Sequence, residues 1–439
     1  MFTTLKNAFK VKEIRVRLLF TFAMMVVIRL GSQLPVPGVD TDYFKSWFEQ
    51  QTTGAFNFFD AVTGGSFLNM SIFALNINPY ITSSIIMQLL TIAIPKLEDM
   101  QRDGEEGRKK IVSITRYVTV GLALIQSAAM AIGFGRQGLL VNYTWYNVLT
   151  CIVALTAGSA FLMWVGEQIT EHGLGNGISI VLVINIISRL PQDIMSLYES
   201  FIKGKAPASA ILAALIILAI FLAMVVLVIL LNDATRVIPI QYAKKMQGHK
   251  YMGGANSSIP LKVNTSGVIP IIFAQSILQM PLMISSFVGS QATGVWGEIM
   301  KYLNSNYWCI PNRTQIKYSA GLLLYIVLVI FFAYFYTSIT FSPIMVADNL
   351  KKSGGFIPGI RPGKYTSDYL NKVLNYIVFI GAVGLIIVCV LPYIFSGVAG
   401  ANVNTTGTSL IIIVSVVLET LKQVESKMLV RNYKGFLES

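Results

Sequence analysis

Side chains suited to catalysis or metal binding are few in this chain, and they are scattered. His172 and His249 are the only histidines, and neither belongs to an HExxH pair or to any metal-ligand cluster. Cys151, Cys309 and Cys389 stand far apart without CxxC spacing, so they offer neither a disulfide nor a metal framework. No GxSxG nucleophile elbow occurs. The run Gly359-Ile360-Arg361-Pro362-Gly363-Lys364-Tyr365 resembles a phosphate loop. It has one residue too few between its glycines, and Tyr365 stands where Ser or Thr should follow the lysine. Nucleotide binding is rejected, so any work must be driven by a partner or a gradient. The remaining chemistry is hydrogen bonding in an unusual place. Between residues 58 and 94 an apolar segment carries Asn76, Asn78, Pro79, Thr82, Ser83, Ser84 and Gln88, and Gly64, Gly65 and Ser66 break its helical pattern. Broken backbone at membrane depth survives only where protein shields it or where it lines an aqueous cavity. The segment reads as a cavity wall with a loose piece attached.

The elements that must position these groups are membrane helices. Of 439 residues 54% are hydrophobic and 13% charged, and the mean hydropathy is +0.63, the balance of a polytopic membrane protein. Spans of roughly 20 apolar residues are expected at 18–34, 72–94, 111–133, 147–166, 176–190, 209–231, 263–287, 319–341, 374–394 and 407–422. The fifth and last look short, with ends that neighbouring helices cover. An even count puts both termini on one side. Roughly 24 of the 34 Lys and Arg residues fall on that side, which the positive-inside rule makes cytoplasmic. The net charge of +13 is thus concentrated on a face that could meet anionic lipid, RNA or an acidic protein. The first apolar run lacks a small-residue cleavage site and is expected to be a retained helix.

No Asp or Glu stands near the middle of a span; Arg29 and Arg116 lie toward span ends, Glu167 and Arg189 at span boundaries. An intramembrane protease would lack its nucleophile and its metal ligands. Ion-coupled carriers usually keep ionisable groups in their pathway. A pathway of Ile, Ser, Thr, Asn and Gln suits a substrate of no fixed chemistry, because a bulky aliphatic constriction excludes water and ions without gripping what passes.

Ten spans divide five and five. Pro79 precedes Gln88 by nine residues in the second span and Pro270 precedes Gln279 by nine in the seventh, as an inverted repeat would have it. Chance recurrence of Pro and Gln, both common in wet helices, is the alternative. Two connections, 232–262 and 342–372, exceed what a turn needs, and long ordered loops usually bind something. A flexible linker fits the first better than the second, whose Phe356-Ile357-Pro358-Gly359-Ile360-Arg361-Pro362-Gly363 is apolar and proline-stiffened.

Several blocks together resemble the SecY family of bacterial protein-conducting channels across essentially the whole chain. They are Ser71-Ile72-Phe73-Ala74-Leu75, Pro79-Tyr80-Ile81, Trp164-Val165-Gly166-Glu167-Gln168-Ile169-Thr170-Glu171 and Gly173-Leu174-Gly175-Asn176-Gly177-Ile178-Ser179. Leu261-Lys262-Val263-Asn264, Gly267-Val268-Ile269-Pro270, Ala347-Asp348-Asn349-Leu350-Lys351-Lys352-Ser353-Gly354 and Ile357-Pro358-Gly359-Ile360-Arg361-Pro362-Gly363 complete the set. The resemblance implies an all-α fold of ten membrane helices in two inverted five-helix halves, 1–200 and 201–439, around an hourglass pore. It implies a pore ring of Ile77, Ile81, Leu182, Ile186, Ile272 and Ile412, where Leu182 departs from a frequent isoleucine and Ile411 is the alternative register for the last. It implies a plug at about 60–69, containing Asp60, Gly64, Gly65, Ser66, Phe67 and Asn69, with the two glycines as hinge. A lateral gate would run between the second and third spans and the seventh and eighth, near Thr82, Gln88, Gln275, Gln279 and Met280; Met280 stands where some relatives carry an aromatic. Arg361, with Lys244, Lys245 and Lys250, would dock a SecA-like motor ATPase or the ribosome. Other implied partners are SecE-like and SecG-like small membrane subunits, signal sequences, unfolded clients and anionic lipids. No cofactor and no enzymatic activity are implied. A secondary transporter of small solutes built on an inverted repeat is the alternative, disfavoured by the missing carboxylates and by the loop around Arg361.

Overall fold

The computed structural model describes residues 9, 11–51, 60, 63–203, 207–242, 245–247, 250–252, 256–288, 294–309, 316–399 and 404–437. Each of the ten apolar stretches coincides with a helix among them. These are α1 (Lys12–Gly31), α3 (Asn78–Ala93), α5 (Glu105–Phe134), α6 (Trp145–His172), α7 (Gly177–Phe201), α8 (Pro207–Asp233), α9 (Ile269–Val288), α11 (Ala320–Thr340), α13 (Lys364–Ala399) and α14 (Asn404–Leu437). Four shorter helices lie between them: α2 (Thr41–Gln51), α4 (Pro95–Arg102), α10 (Val295–Leu303) and α12 (Pro343–Lys352). Among the described residues six helical stretches are long and apolar enough to cross a membrane by themselves, and α3 with α4 makes a seventh, bent by 105°.

Three boundaries differ from the sequence expectation, each for a local reason. The second span is helical only from Asn78, because Asn76 is left-handed (φ 52°) and Pro79 sits in the first turn of α3, where its fixed φ suits a helix start. Residues 64–77 approach it as consecutive turns. The fifth and last spans are not short: α7 has 25 residues and α14 has 34. Both continue past their apolar stretches, α7 through Gln192, Met195, Leu197 and Glu199 and α14 through Lys422, Gln423, Glu425 and Lys427, good helix formers whether or not lipid surrounds them.

The start of α7 shows how the glycine-rich block between α6 and α7 folds. The Asn176 side chain accepts from the backbone N–H groups of Ile178 and Ser179 and so caps the helix. A Cβ on Gly177 would lie 1.8 Å from the carbonyl oxygen of Gly166, so only glycine lets α7 begin this close to α6. At the same end of the bundle Arg17 Nη1 donates to the carbonyls of Glu171 (3.3 Å) and Gly173 (3.4 Å). Lys422 Nζ reaches Asp233 Oδ1 at 2.6 Å. The beginning of α1, the ends of α6 and α8, and the tail of α14 therefore share one face.

The two long connections form one structure. Strand β1 (Thr235–Tyr242) runs antiparallel to β4 (Asn256–Lys262), with Ile238 opposite Ile259. The second connection adds β5 (Gly355–Phe356) to the other edge of β1, giving the order β4-β1-β5. A small two-stranded piece, β2 (Lys245–Gln247) with β3 (Lys250–Met252), lies between β1 and β4 in sequence. The flexible-linker alternative for 232–262 does not describe these strands: burial alternates along β1, with Ile238 and Ile240 beneath the strand and Val237 outside. Ile238, Leu261, Ile357, Leu370 and Ile377 close a separate hydrophobic cluster under the sheet.

Candidate functional site

The six expected ring residues meet in one hydrophobic cluster. Ile77 comes from the cap of α3, Leu182 and Ile186 from α7 and Ile412 from α14, all buried, with Ile81 and Ile272 packed against them. Ile77 is 0% exposed. Ile411, the other register for α14, points away into the core formed by α9, α11 and α13. The six come from four helices and lie between positions 77 and 412, and the cluster they join also takes in Ile28 of α1 and Leu162, Val165 and Ile169 of α6.

The segment expected as a plug lies against α7 and α1. Asp60 is fully buried and paired with Arg189, and its Oδ1 accepts from the Leu68 N–H at 3.1 Å. The Gly64 carbonyl accepts from Arg29 Nη1 and from Ser188 Oγ, each at 3.4 Å. Phe67 is buried in a triad of edge-to-face rings with Phe44 of α2 and Phe134 of α5. Ser66 is buried, while Gly65 and Asn69 are half-buried. One turn nearer the ring, Asn185 Nδ2 donates to Asn76 Oδ1 at 3.1 Å, and Ser159 Oγ to the Asn76 carbonyl at 3.0 Å. Sequence reasoning placed Arg29 and Arg189 near span ends without giving them partners. An intramembrane arginine demands a partner, and that demand is the signal that could have led to this segment.

The expected gate residues divide. A cavity of about 230 Å³ opens between α3 and α9, lined by Thr82, Gln279 and Met280 together with Ile81, Leu182, Ile272 and Ile412 of the ring. Gln88 donates to Ser84 of its own helix at 3.5 Å. Gln275 is turned away from this seam: it is buried and donates to Tyr393 of α13 at 3.2 Å. Its place in the seam is therefore corrected to an interior contact of the second half. Across the seam Ile85 of α3 packs into the core of α9, beside Ile271, Phe273, Ala274 and Leu278, a contact that sequence reasoning missed. Arg116 of α5 and Glu167 of α6 form an ion pair at 2.7 Å.

Arg361 is exposed at the tip between β5 and α13, and its carbonyl accepts from Thr366 Oγ1 at 2.9 Å. Ile357, four residues earlier, is buried and roots this tip in the cluster beneath the sheet. Lys245 and Lys250 begin the paired strands β2 and β3; Lys244 lies outside the described residues.

The SecY family model matches residues 71–421. The chain is 41% identical to the protein translocase subunit SecY of Streptomyces scabiei, covering 100% of both chains. It is 40% identical to that of Bacillus subtilis (strain 168), again over 100% of both. Among solved structures, the fold resembles a protein-conducting channel at TM-score 0.63 and 17% identity, with 94% of this chain and 92% of that one covered. It also resembles Sec61 in a canine ribosome–channel complex from the endoplasmic reticulum, at TM-score 0.60 and 17% identity, with the same coverage.

Proposed function

The chain belongs to the SecY family, and from that membership we propose how its own residues seal the membrane and open it to polypeptide. It is a multi-pass membrane protein and a channel subunit of the protein translocase; it is not an enzyme. The observation that carries the proposal is the convergence of Ile77, Ile81, Leu182, Ile186, Ile272 and Ile412 in one cluster drawn from α3, α7, α9 and α14. These residues form the pore ring. Their side chains make no directed bonds, so the ring excludes water and ions when closed and slides over any sequence when open. The 60–69 segment, held by Arg29, Ser188 and Arg189, is the plug on the outer side of the ring. The cavity along Thr82, Gln279 and Met280 is the mouth of a lateral gate, where an entering apolar helix replaces weak polar contacts. Nothing favours the solute-carrier alternative.

The halves 1–200 and 201–439 meet along this ring and gate. The sheet, the Arg361 tip and both termini face the cytoplasm, a reading supported by the basic residues concentrated there and by the Arg17 and Lys422 contacts on one face. Arg361 offers a planar guanidinium from a rooted tip, suited to carboxylate or phosphate on a SecA-like motor or a ribosome. Lys244, Lys245 and Lys250 add charge on the same side. Small SecE-like and SecG-like membrane subunits, signal sequences, unfolded clients and anionic lipids complete the partners.

A photocrosslinker at Ile81 or Ile272 is expected to capture a stalled secretory chain. Labelling only from lipid-facing positions such as Leu222, which is 54% exposed, would overturn the pore assignment. Arg361→Glu is expected to lower motor-driven export at least tenfold with channel abundance unchanged, the loss of about 1.4 kcal/mol or more of docking energy.

A further inference from the structure

The ion pair that holds the plug has a second carboxylate beside it. Arg189 pairs with Asp60 of the plug, and its Nε also stands 3.6 Å from Asp193 Oδ1, one turn further along the same helix. Asp60 is 0% exposed. Its carboxylate binds Arg189 while also accepting the Leu68 N–H, so the group that organises the plug internally is the group that anchors it. We propose that Arg189 is a positioning residue shared by two carboxylates: Asp60 holds it while the channel is shut, and Asp193 keeps it paired once the plug has left. The proposal rests on reading 60–69 as the plug.

An arginine whose only partner departed would be stranded beside lipid and protein, and stranding a charge is far more costly than exchanging its partners. A single Asp60–Arg189 pair would therefore weld the plug in place. Asp193 travels with Arg189 on α7, and a guanidinium has donors enough to serve two carboxylates from one fork. Asp60 leaves with the plug toward water, where a carboxylate is well hydrated. The closed state thus gains an ion pair without the open state bearing an orphaned charge. The latch is also linked to the seal, because Arg189 lies three residues beyond Ile186 and seven beyond Leu182 on the same helix. A shift of α7 that widens the ring withdraws Arg189 from Asp60. Arg29 and Ser188, both on the Gly64 carbonyl, steady the plug but carry no net charge exchange.

The two carboxylates predict opposite effects. In the intact translocase reconstituted in planar bilayers, Asp60→Asn is expected to raise resting ion conductance roughly tenfold, the middle of the range for coupled neighbouring charges, toward the level of a channel lacking 60–69. It also raises export of a precursor with a weakened signal sequence. Asp193→Asn leaves Arg189 dependent on Asp60, so resting conductance does not rise and export of the same precursor falls several-fold. Both substitutions preserve side-chain size, and channel abundance is measured alongside. If both variants shift conductance and export in the same direction, Arg189 has only a structural role and the shared-partner proposal is overturned. It is equally overturned if Asp60→Asn leaves conductance unchanged while deletion of 60–69 raises it. A deletion that leaves conductance unchanged would instead overturn the plug assignment itself.

Discussion

At the scale of single residues, Gly64 and Gly65 separate what looked like one hinge into two roles. Both have positive φ, +66° and +82°. A Cβ on Gly64 would lie 2.6 Å from the Asn185 carbonyl oxygen, whereas a Cβ on Gly65 would meet nothing within 4 Å. Gly64 is therefore required for contact with α7, and Gly65 for backbone freedom alone. Gly64→Ala is expected to disfavour the docked plug by about 2–3 kcal/mol, combining left-handed strain with displacement. Gly65→Ala should cost only about 1–2 kcal/mol. Resting conductance of the reconstituted channel checks both, and a larger leak from the Gly65 variant would contradict this division. The sequence marked these glycines as breaks, yet no local pattern could say which of them touches another helix. Asn185 stands 121 positions away, and its carbonyl has no sequence signature. Gln275 fails for the complementary reason. A glutamine in a membrane helix announces a hydrogen bond, but rotation about the helix decides whether that bond crosses the gate or, as here, reaches Tyr393 in the interior.

At the scale of elements, the helices were legible because lipid demands long apolar stretches, and the loops were not, because a short β ladder needs no such composition. The sheet β4-β1-β5 joins two separate connections, and the residues of β1, Thr-Arg-Val-Ile-Pro-Ile-Gln-Tyr, do not alternate apolar with polar in a way that announces a strand. Its stability rests on the cluster around Ile357, which is 3% exposed. Ile357→Ala is expected to destabilise that unit by about 2–4 kcal/mol, seen as faster proteolytic cleavage within 342–372 and weaker motor docking while the membrane helices stay folded. On the opposite face, α10 is fastened to the start of α11 by Glu298, which accepts from Lys317 Nζ at 2.9 Å and from the Tyr318 hydroxyl at 3.0 Å. The hydrogen bond from Lys317, then that from Tyr318, holds the Glu298 carboxyl below the usual carboxylate range. A carboxylate with a depressed folded value contributes its stabilisation in full above the unfolded value of about 4.3, and loses it as pH falls through the lower folded value. Protection of the Val295–Leu303 amides, measured against their intrinsic exchange rates, should accordingly fall below about pH 4, and Glu298→Gln should remove that dependence. Loss of that protection on raising the pH from neutral would have the wrong sign for this fastening.

At the scale of the whole molecule, the proposed ring and the proposed gate share residues, since Leu182, Ile272 and Ile412 belong to the hydrophobic cluster and also line the cavity beside Thr82 and Gln279. The register proposed for the ring rests on family resemblance and not on spacing, because an isoleucine facing lipid and one facing a pore look alike in sequence. The residue that crosses the seam, Ile85, was invisible for the same reason. It is 6% exposed and shares a hydrophobic cluster with Ile271, Phe273, Ala274 and Leu278 of α9. In water such burial would hold the halves together strongly, but lipid tails are as apolar as isoleucine, so closure gains packing and little hydrophobic free energy. Opening the gate exchanges protein neighbours of Ile85 for lipid or for an arriving apolar helix. Ile85→Ala should therefore cost the closed state only about 1 kcal/mol, well below the 2–5 kcal/mol of the same truncation in a water-soluble core. That corresponds to roughly a fivefold shift toward the open gate, read as more efficient export of a precursor with a weakened signal sequence and more crosslinking of that signal to Thr82 and Gln279. A loss of export would mean instead that Ile85 supports the open state. A hundredfold gain would mean that water, not lipid, fills the seam when it parts, and the gate would then open first as an aqueous cleft.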